Sequence, residues 1–187
     1  MKILKRSPRI YDDLKECKVC PMLGQDHVPS QGPIPAEVMV VGQSPGNTEV
    51  ELLRPFVGPS GELLELMLEE AGLCREEVYI TNILKCHPPG NRPAFANEAK
   101  NCYQIWLKRE IKVVDPRLVI LLGKDAHTFI IKSRNEFGHE RVTPSKKRTY
   151  ITLYHPSYFL RRGNPFDFIK SGKVVASLLE EQEIHED

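Results

Sequence analysis

At 187 residues with 41% apolar side chains, the chain is long enough for one compact core and short for two, so residues 1–187 are read as a single domain. Its 26 Lys and Arg nearly cancel its 25 Asp and Glu, which excludes attraction to a polyanion through bulk charge and leaves any nucleic-acid contact to local clusters. No apolar run approaches the roughly 20 residues of a membrane span, and no such run follows the basic residues Lys2, Lys5, Arg6 and Arg9 as in a secretory signal. A cytoplasmic monomer without membrane attachment is therefore expected. In a reducing compartment the five cysteines read as metal ligands or buried thiols rather than disulfides.

Taken in chain order, four short apolar, β-branched runs have the character of buried strands: residues 37–42, 78–84, 117–123 and 149–154. Helical patterns separate or follow them. Residues 61–71 place Leu63, Leu64, Met67 and Leu68 on one face, residues 97–113 space Cys102, Ile105, Trp106 and Arg109 helically, and residues 171–182 repeat the pattern with Val174, Val175, Leu178 and Leu179. Strands alternating with helices predict an α/β fold, a three-layer α/β/α arrangement around a central four-stranded parallel sheet, with ligands gathering beyond the carboxyl ends of the strands.

Those ends carry the polar residues. The first strand runs into Gly42-Gln43-Ser44-Pro45-Gly46, a tight turn that frees backbone N–H groups. Thr81-Asn82 closes the second, followed by Lys85-Cys86-His87-Pro88-Pro89-Gly90-Asn91-Arg92; the third ends at Leu122-Gly123-Lys124. The fourth delivers His155 and a basic loop, Pro156-Ser157-Tyr158-Phe159-Leu160-Arg161-Arg162. Each piece alone has a plainer reading: a turn, a capping Asn, a packed His. Lys146-Lys147-Arg148 reads as a solvated charge run.

The cysteines are more specific. Cys17 and Cys20 form a C-x2-C pair, while Cys86 and Cys102 follow after a gap of 65 residues, with 15 residues between them. Four thiolates make one closed site, and either tetrahedral zinc or a cubane cluster accepts four; the spacing matches neither a zinc ribbon nor a ferredoxin run. Cys74 has no partner left and reads as a structural thiol.

Together these segments resemble the family 4 uracil-DNA glycosylases: two N-terminal cysteines, a Gly-x-x-Pro-Gly turn, Arg54-Pro55-Phe56-Val57-Gly58, an Asn ahead of Cys-x-Pro-Pro-Gly-Asn-Arg, a fourth cysteine, and His-Pro-Ser, collinear from about Cys17 to Arg162. The resemblance implies a 4Fe-4S cluster on Cys17, Cys20, Cys86 and Cys102. It implies DNA containing uracil as the partner, with the base flipped from the stack and its N-glycosidic bond hydrolysed to leave an abasic site. Phe56 would lie under the uracil ring, Asn82 against O4 and N3, and Glu49 would form the wall that excludes thymine's methyl. His155 and the amides around Gln43 and Ser44 would donate to O2 as charge develops on the leaving base, and Gly42 would belong to the same substrate-binding turn. Tyr158, Phe159 and Leu160 supply apolar bulk for the vacated gap, and Arg161 and Arg162 hold phosphates.

The first turn departs from that family. Gln43 stands where Glu is usual and Ser44 where Ala or Gly is usual, so the turn holds no general base. Restoring the carboxylate by Gln43→Glu is expected to raise the rate. Two alternatives follow: a glycosylase preferring another deaminated base such as hypoxanthine, or a non-catalytic DNA-binding protein of the same fold.

Overall fold

The computed structural model describes residues 14–20, 27–132 and 137–183. The basic residues Lys2, Lys5, Arg6 and Arg9 lie outside the described residues.

The four expected strands are present: β1 (Val38–Gly42), β2 (Tyr79–Asn82), β3 (Leu118–Leu122) and, as the fifth in chain order, β5 (Thr149–Leu153). A further strand, β4 (Arg141–Pro144), pairs antiparallel with β5 and corrects the expected count. Its side chains are exposed or half-buried and it ends in Pro144, so it lacks the continuous apolar run that marks its neighbours. The sheet order is β2-β1-β3-β5-β4, with the first four strands parallel.

Every residue of β1, β2 and β3 is buried because helices cover both faces, as crossover connections require. Met39, Val41, Tyr79, Val119 and Leu121 pack with Trp106, Leu107 and Val114 on one side; Val38, Val40, Ile80, Ile120 and Leu153 pack with Leu64, Met67, Leu68, Phe168 and Val175 on the other. The first layer holds α3 (Ala96–Cys102), α4 (Lys108–Val114) and α5 (Lys124–Ile131); the second holds α2 (Pro59–Glu70), α6 (Pro156–Arg162) and α7 (Pro165–Glu183). The three-layer arrangement is thus as expected. The short α1 (Asn47–Leu52) follows the first turn.

Two local features differ from the periodicity. Residues 97–113 do not form one regular helix: a π-helical segment, Tyr103–Leu107, joins α3 to α4 directly after Cys102. The basic loop expected after β5 is instead the helix α6, with Pro156 at its first position, where no N–H is needed, and His155 as its cap.

A candidate active site at the carboxyl edge of the sheet

The register levels the strand ends. Gly42 lies opposite Asn82, and Leu122 opposite Leu153, so the segments after β1, β2, β3 and β5 emerge on one rim. There they enclose a cavity of about 320 Å3 lined by Gln43, Ser44, Pro45, Gly46, Glu49, Phe56, Ser60, Asn82, Pro88, Asn91, Arg92, Pro93, Asp125 and His155. Gln43, Ser44, Glu49, Phe56, Asn82 and His155, expected from sequence, are brought together.

Gly42 sits behind them. A Cβ there would lie 2.4 Å from Asn82 Oδ1 and 2.5 Å from Phe56 Cζ, so only glycine lets both side chains occupy this space. Phe56 itself has φ 52°, an uncommon left-handed conformation for an aromatic residue. Arg75 holds it by donating to the carbonyls of Pro55 and Phe56, the latter at 2.9 Å, while pairing with Glu65 at 3.0 Å. Glu49 is fully engaged: Oε2 accepts from the Gly46 amide at 3.0 Å, and Oε1 from the Val57 and Gly58 amides at 2.9 Å each. The carboxylate buckles the first turn to the Phe56 loop.

Asn82 is anchored from behind by a buried ion pair that sequence reading missed. Lys85 Nζ lies 2.8 Å from Glu110 Oε2 and donates to the Asn82 carbonyl at 2.8 Å, with Thr81 and Ser30 completing the network. Lys85 and Glu110 are both essentially solvent-free. A lysine at strand spacing next to a candidate ligand cysteine carries no visible sign of such a partner 25 residues on. In front, Asn82 Oδ1 is buried without a hydrogen-bond partner among the described residues, an acceptor whose desolvation is uncompensated until something donates to it.

His155 faces the same cavity. Its Nδ1 accepts from the Ser157 amide at 3.3 Å and lies 2.9 Å from Ser157 Oγ, which in turn accepts from Arg161 at 3.0 Å. An accepting Nδ1 fixes the proton of the neutral ring on Nε2. Burial, aided by the Arg161 charge and opposed by Glu49, pushes the His155 pKa down to about 4. The ring lies 6.1 Å from that of Phe56, tilted by 33°. Ser157 is a further residue the sequence quoted without a role.

Along α6 the expected DNA-contacting residues separate. Phe159 is 6% exposed and packs on His139, Tyr158 and Phe168, which corrects its expected place among the groups presented to DNA. Its helical position turns it into the core. Leu160 is 39% exposed, Arg161 and Arg162 are exposed, and Arg162 covers the half-buried Tyr158 ring at 4.7 Å. Of the basic run in the β4–β5 turn, Lys146 and Lys147 are exposed and Arg148 pairs with Asp115 at 3.2 Å.

The candidate ligands gather at the other end of the Asn82 segment. Cys86 and Cys102 are buried, and the half-buried Cys17 and Cys20 pack against the same apolar cluster. His27 pairs by a β-bridge with Cys86 and reaches the Cys17 carbonyl at 3.1 Å, tying the N-terminal pair to the loop. Cys102 Sγ accepts the Lys85 amide at 3.3 Å. The donor set is thiol only, in an apolar surround with an amide aimed at sulfur, which fits a thiolate-bound cluster. Among the described residues no group of three or more His, Cys, Asp or Glu is drawn tightly enough to hold a single metal ion. Cys74, expected to be structural, is exposed and caps the turn before β2.

No helix among the described residues is long and apolar enough to cross a membrane. The family model described as "Uracil DNA glycosylase superfamily" matches residues 29–178. The chain is 36% identical over 168 residues to a type-4 uracil-DNA glycosylase of Archaeoglobus fulgidus, covering 82% of each chain. It is 38% identical over 167 residues to the type-4 enzyme of Pyrobaculum aerophilum, covering 82% of this chain and 84% of that one. Against that of Thermotoga maritima it is 34% identical over 158 residues, covering 81% and 82%. An α/β/α fold, a cavity at the strand ends and similarity across most of the chain agree: the chain belongs to the uracil DNA glycosylase superfamily.

Proposed function

We propose that this protein excises uracil from DNA, leaving an abasic site and an intact backbone. The carrying observation is the orphaned, buried Asn82 Oδ1, which shares a cavity with Phe56 and the Nε2–H of His155. Uracil offers an N3–H to that oxygen and an O4 acceptor to the Asn82 amide, and its ring stacks on Phe56. Cytosine presents an acceptor at N3, which leaves two acceptors opposed at a cost of about 1–3 kcal/mol. Glu49, fixed by three amides, is the wall that meets a thymine methyl.

As the bond between C1′ and N1 lengthens, positive charge grows on the sugar and negative charge on the base. A donor aimed at uracil O2 then stabilises what forms rather than what binds. His155 in its Nε2–H form supplies that donor without gaining or losing a proton, and the amides of the Gln43-Ser44 turn stand beside it. Leu160, on the exposed face of α6, fills the stack, while Arg161 and Arg162 meet phosphates. Cys17, Cys20, Cys86 and Cys102 would hold a 4Fe-4S cluster, which would supply a cross-link from the N-terminal segment to the Asn82 loop and α3.

The test is a duplex oligonucleotide with one uracil, incubated with the protein and then treated with alkali. Scission at uracil, absent from a uracil-free control, is expected. His155→Ala and Asn82→Ala should each slow single-turnover excision by about 10²–10³-fold. Scission only at hypoxanthine, or salt-dependent binding with no abasic product, would overturn the reading.

A further inference from the structure

The turn after β1 lacks a carboxylate, yet the cavity does not. Two acids line it, Glu49 and Asp125. Glu49 spends both oxygens on backbone amides, so it is not placed to accept a proton from water. Asp125 is exposed, in the first turn of α5, and its carboxylate has no hydrogen-bond or ion-pair partner among the described residues.

Topology puts Asp125 in a telling place. In sheet order the rim reads Asn82 after β2, Gln43 after β1, Asp125 after β3 and His155 after β5. Asp125 therefore stands between the turn that carries no carboxylate and the histidine. Gly123, which starts α5 with φ 92°, brings this segment against His155: a Cβ on Gly123 would lie 3.3 Å from that of His155. Asp125 and Gln43 also line together a second, adjoining cavity of about 220 Å3 that runs toward Ala99 and Phe129. Asp125 thus borders both the base pocket and the cavity beside it.

We infer that Asp125 is the catalytic carboxylate of this chain, supplied from the end of β3 beside a first turn that carries none. The inference rests on the excision reading above. The C1′–N1 bond breaks with its electron pair leaving on uracil, whose O2 is met by His155. Water attacks C1′ and forms the new C1′–O bond, and its proton passes to the Asp125 carboxylate, whence it returns to solvent or to the departing uracil anion. Until water arrives, the same negative charge faces the positive charge building on the sugar. Gln43 orients the water by hydrogen bonding and carries no charge.

The experiment compares single-turnover excision from a uracil oligonucleotide by the parent, Asp125→Asn, Gln43→Glu, and the Asp125→Asn/Gln43→Glu pair. Asp125→Asn keeps the shape and removes the charge, and at an exposed site it should leave the melting temperature unchanged. A loss of about 10²-fold in rate is expected, with parent affinity for DNA bearing an uncleavable uracil nucleotide. In the pair, a carboxylate restored to the first turn should recover at least about 10-fold of that loss. An Asp125→Asn rate within about 3-fold of a parent that does excise uracil overturns this inference and leaves the excision reading intact. A parent that produces no abasic sites overturns both.

Discussion

His155 can enter the reaction only as a neutral donor, because its Nδ1 is already an acceptor for Ser157 and burial holds its pKa down to about 4. Arg161 and Glu49 act on it in opposite senses, and Asp125 shares its cavity. The rate should therefore show no inflection near the ordinary histidine value of about 6.5. A His-dependent limb belongs near pH 4, and a limb at 6.5 that vanishes in His155→Gln would contradict the assignment. The same shift acts on stability. Below about 6.5 the unfolded chain takes up a proton that the folded ring refuses until about 4. Stability should fall across that window, by on the order of 3 kcal/mol, and then level off. Urea denaturation at pH 7, 5.5 and 4.5, with His155→Gln as the reference, measures it. Gly42 gives a steric counterpart. Gly42→Ala drives a methyl into Asn82 and Phe56, and should cost about 1–3 kcal/mol in stability while reducing excision by at least about 10²-fold. Which residues share the cavity was legible where chemistry and position coincide, as at Asn82 and His155. What holds them was not: Arg75, Glu110 and Ser157 act through contacts that only the folded chain creates.

At the scale of elements, burial was the legible signal. The inner strands β1 and β3 are continuous apolar runs, and α2 displays its buried face at helical spacing, so all were readable. Elements shorter than two turns, or half exposed, were not. β4 has no apolar run, and α6 has seven residues, beginning with Pro156, a residue more often read as punctuation than as a helix start. Recognising α6 as a helix changes what its residues do, since adjacent side chains then point in different directions. Phe159→Ala should cost about 3–5 kcal/mol through the cavity left among His139, Tyr158 and Phe168, with binding losses that track unfolding. Leu160→Ala should leave the melting temperature within about 2 °C and weaken excision from duplex more than from single strands, where no stacked gap needs filling. Equal losses on both substrates would remove Leu160 from the stack. The π-helical segment after Cys102 also escaped periodicity, because it spans only five residues inside an otherwise α-helical stretch, too few to set a period of their own.

Over the whole molecule, one connection joins the candidate cluster to the base pocket. Lys85 donates its amide to Cys102 Sγ and its ammonium to the backbone carbonyl of Asn82, so a single residue links the Cys102 sulfur to the main chain that carries the Asn82 side chain. Among the described residues no such link to Asn82 joins the N-terminal pair: Cys17 reaches the loop through its own carbonyl and His27, and Cys20 bonds to Asn101. Removing different ligands should therefore separate stability from activity. Cys17→Ala and Cys102→Ala should both bleach the visible absorbance of the cluster. Both should also lose about 2–4 kcal/mol, by analogy with opening a long covalent cross-link, a fall of roughly 5–15 °C in Tm. Below their melting temperatures they should differ. Cys17→Ala leaves the Lys85–Glu110 pair and Asn82 in place and should excise uracil within about 3-fold of the parent. Cys102→Ala withdraws the acceptor of the Lys85 amide beside a buried ion pair whose disruption costs about 3–5 kcal/mol, and its loss of rate should be the greater by about 10-fold. Equal rates in the two bleached variants would mean that the pocket is held by the sheet alone and that Lys85 transmits nothing from the cluster to Asn82.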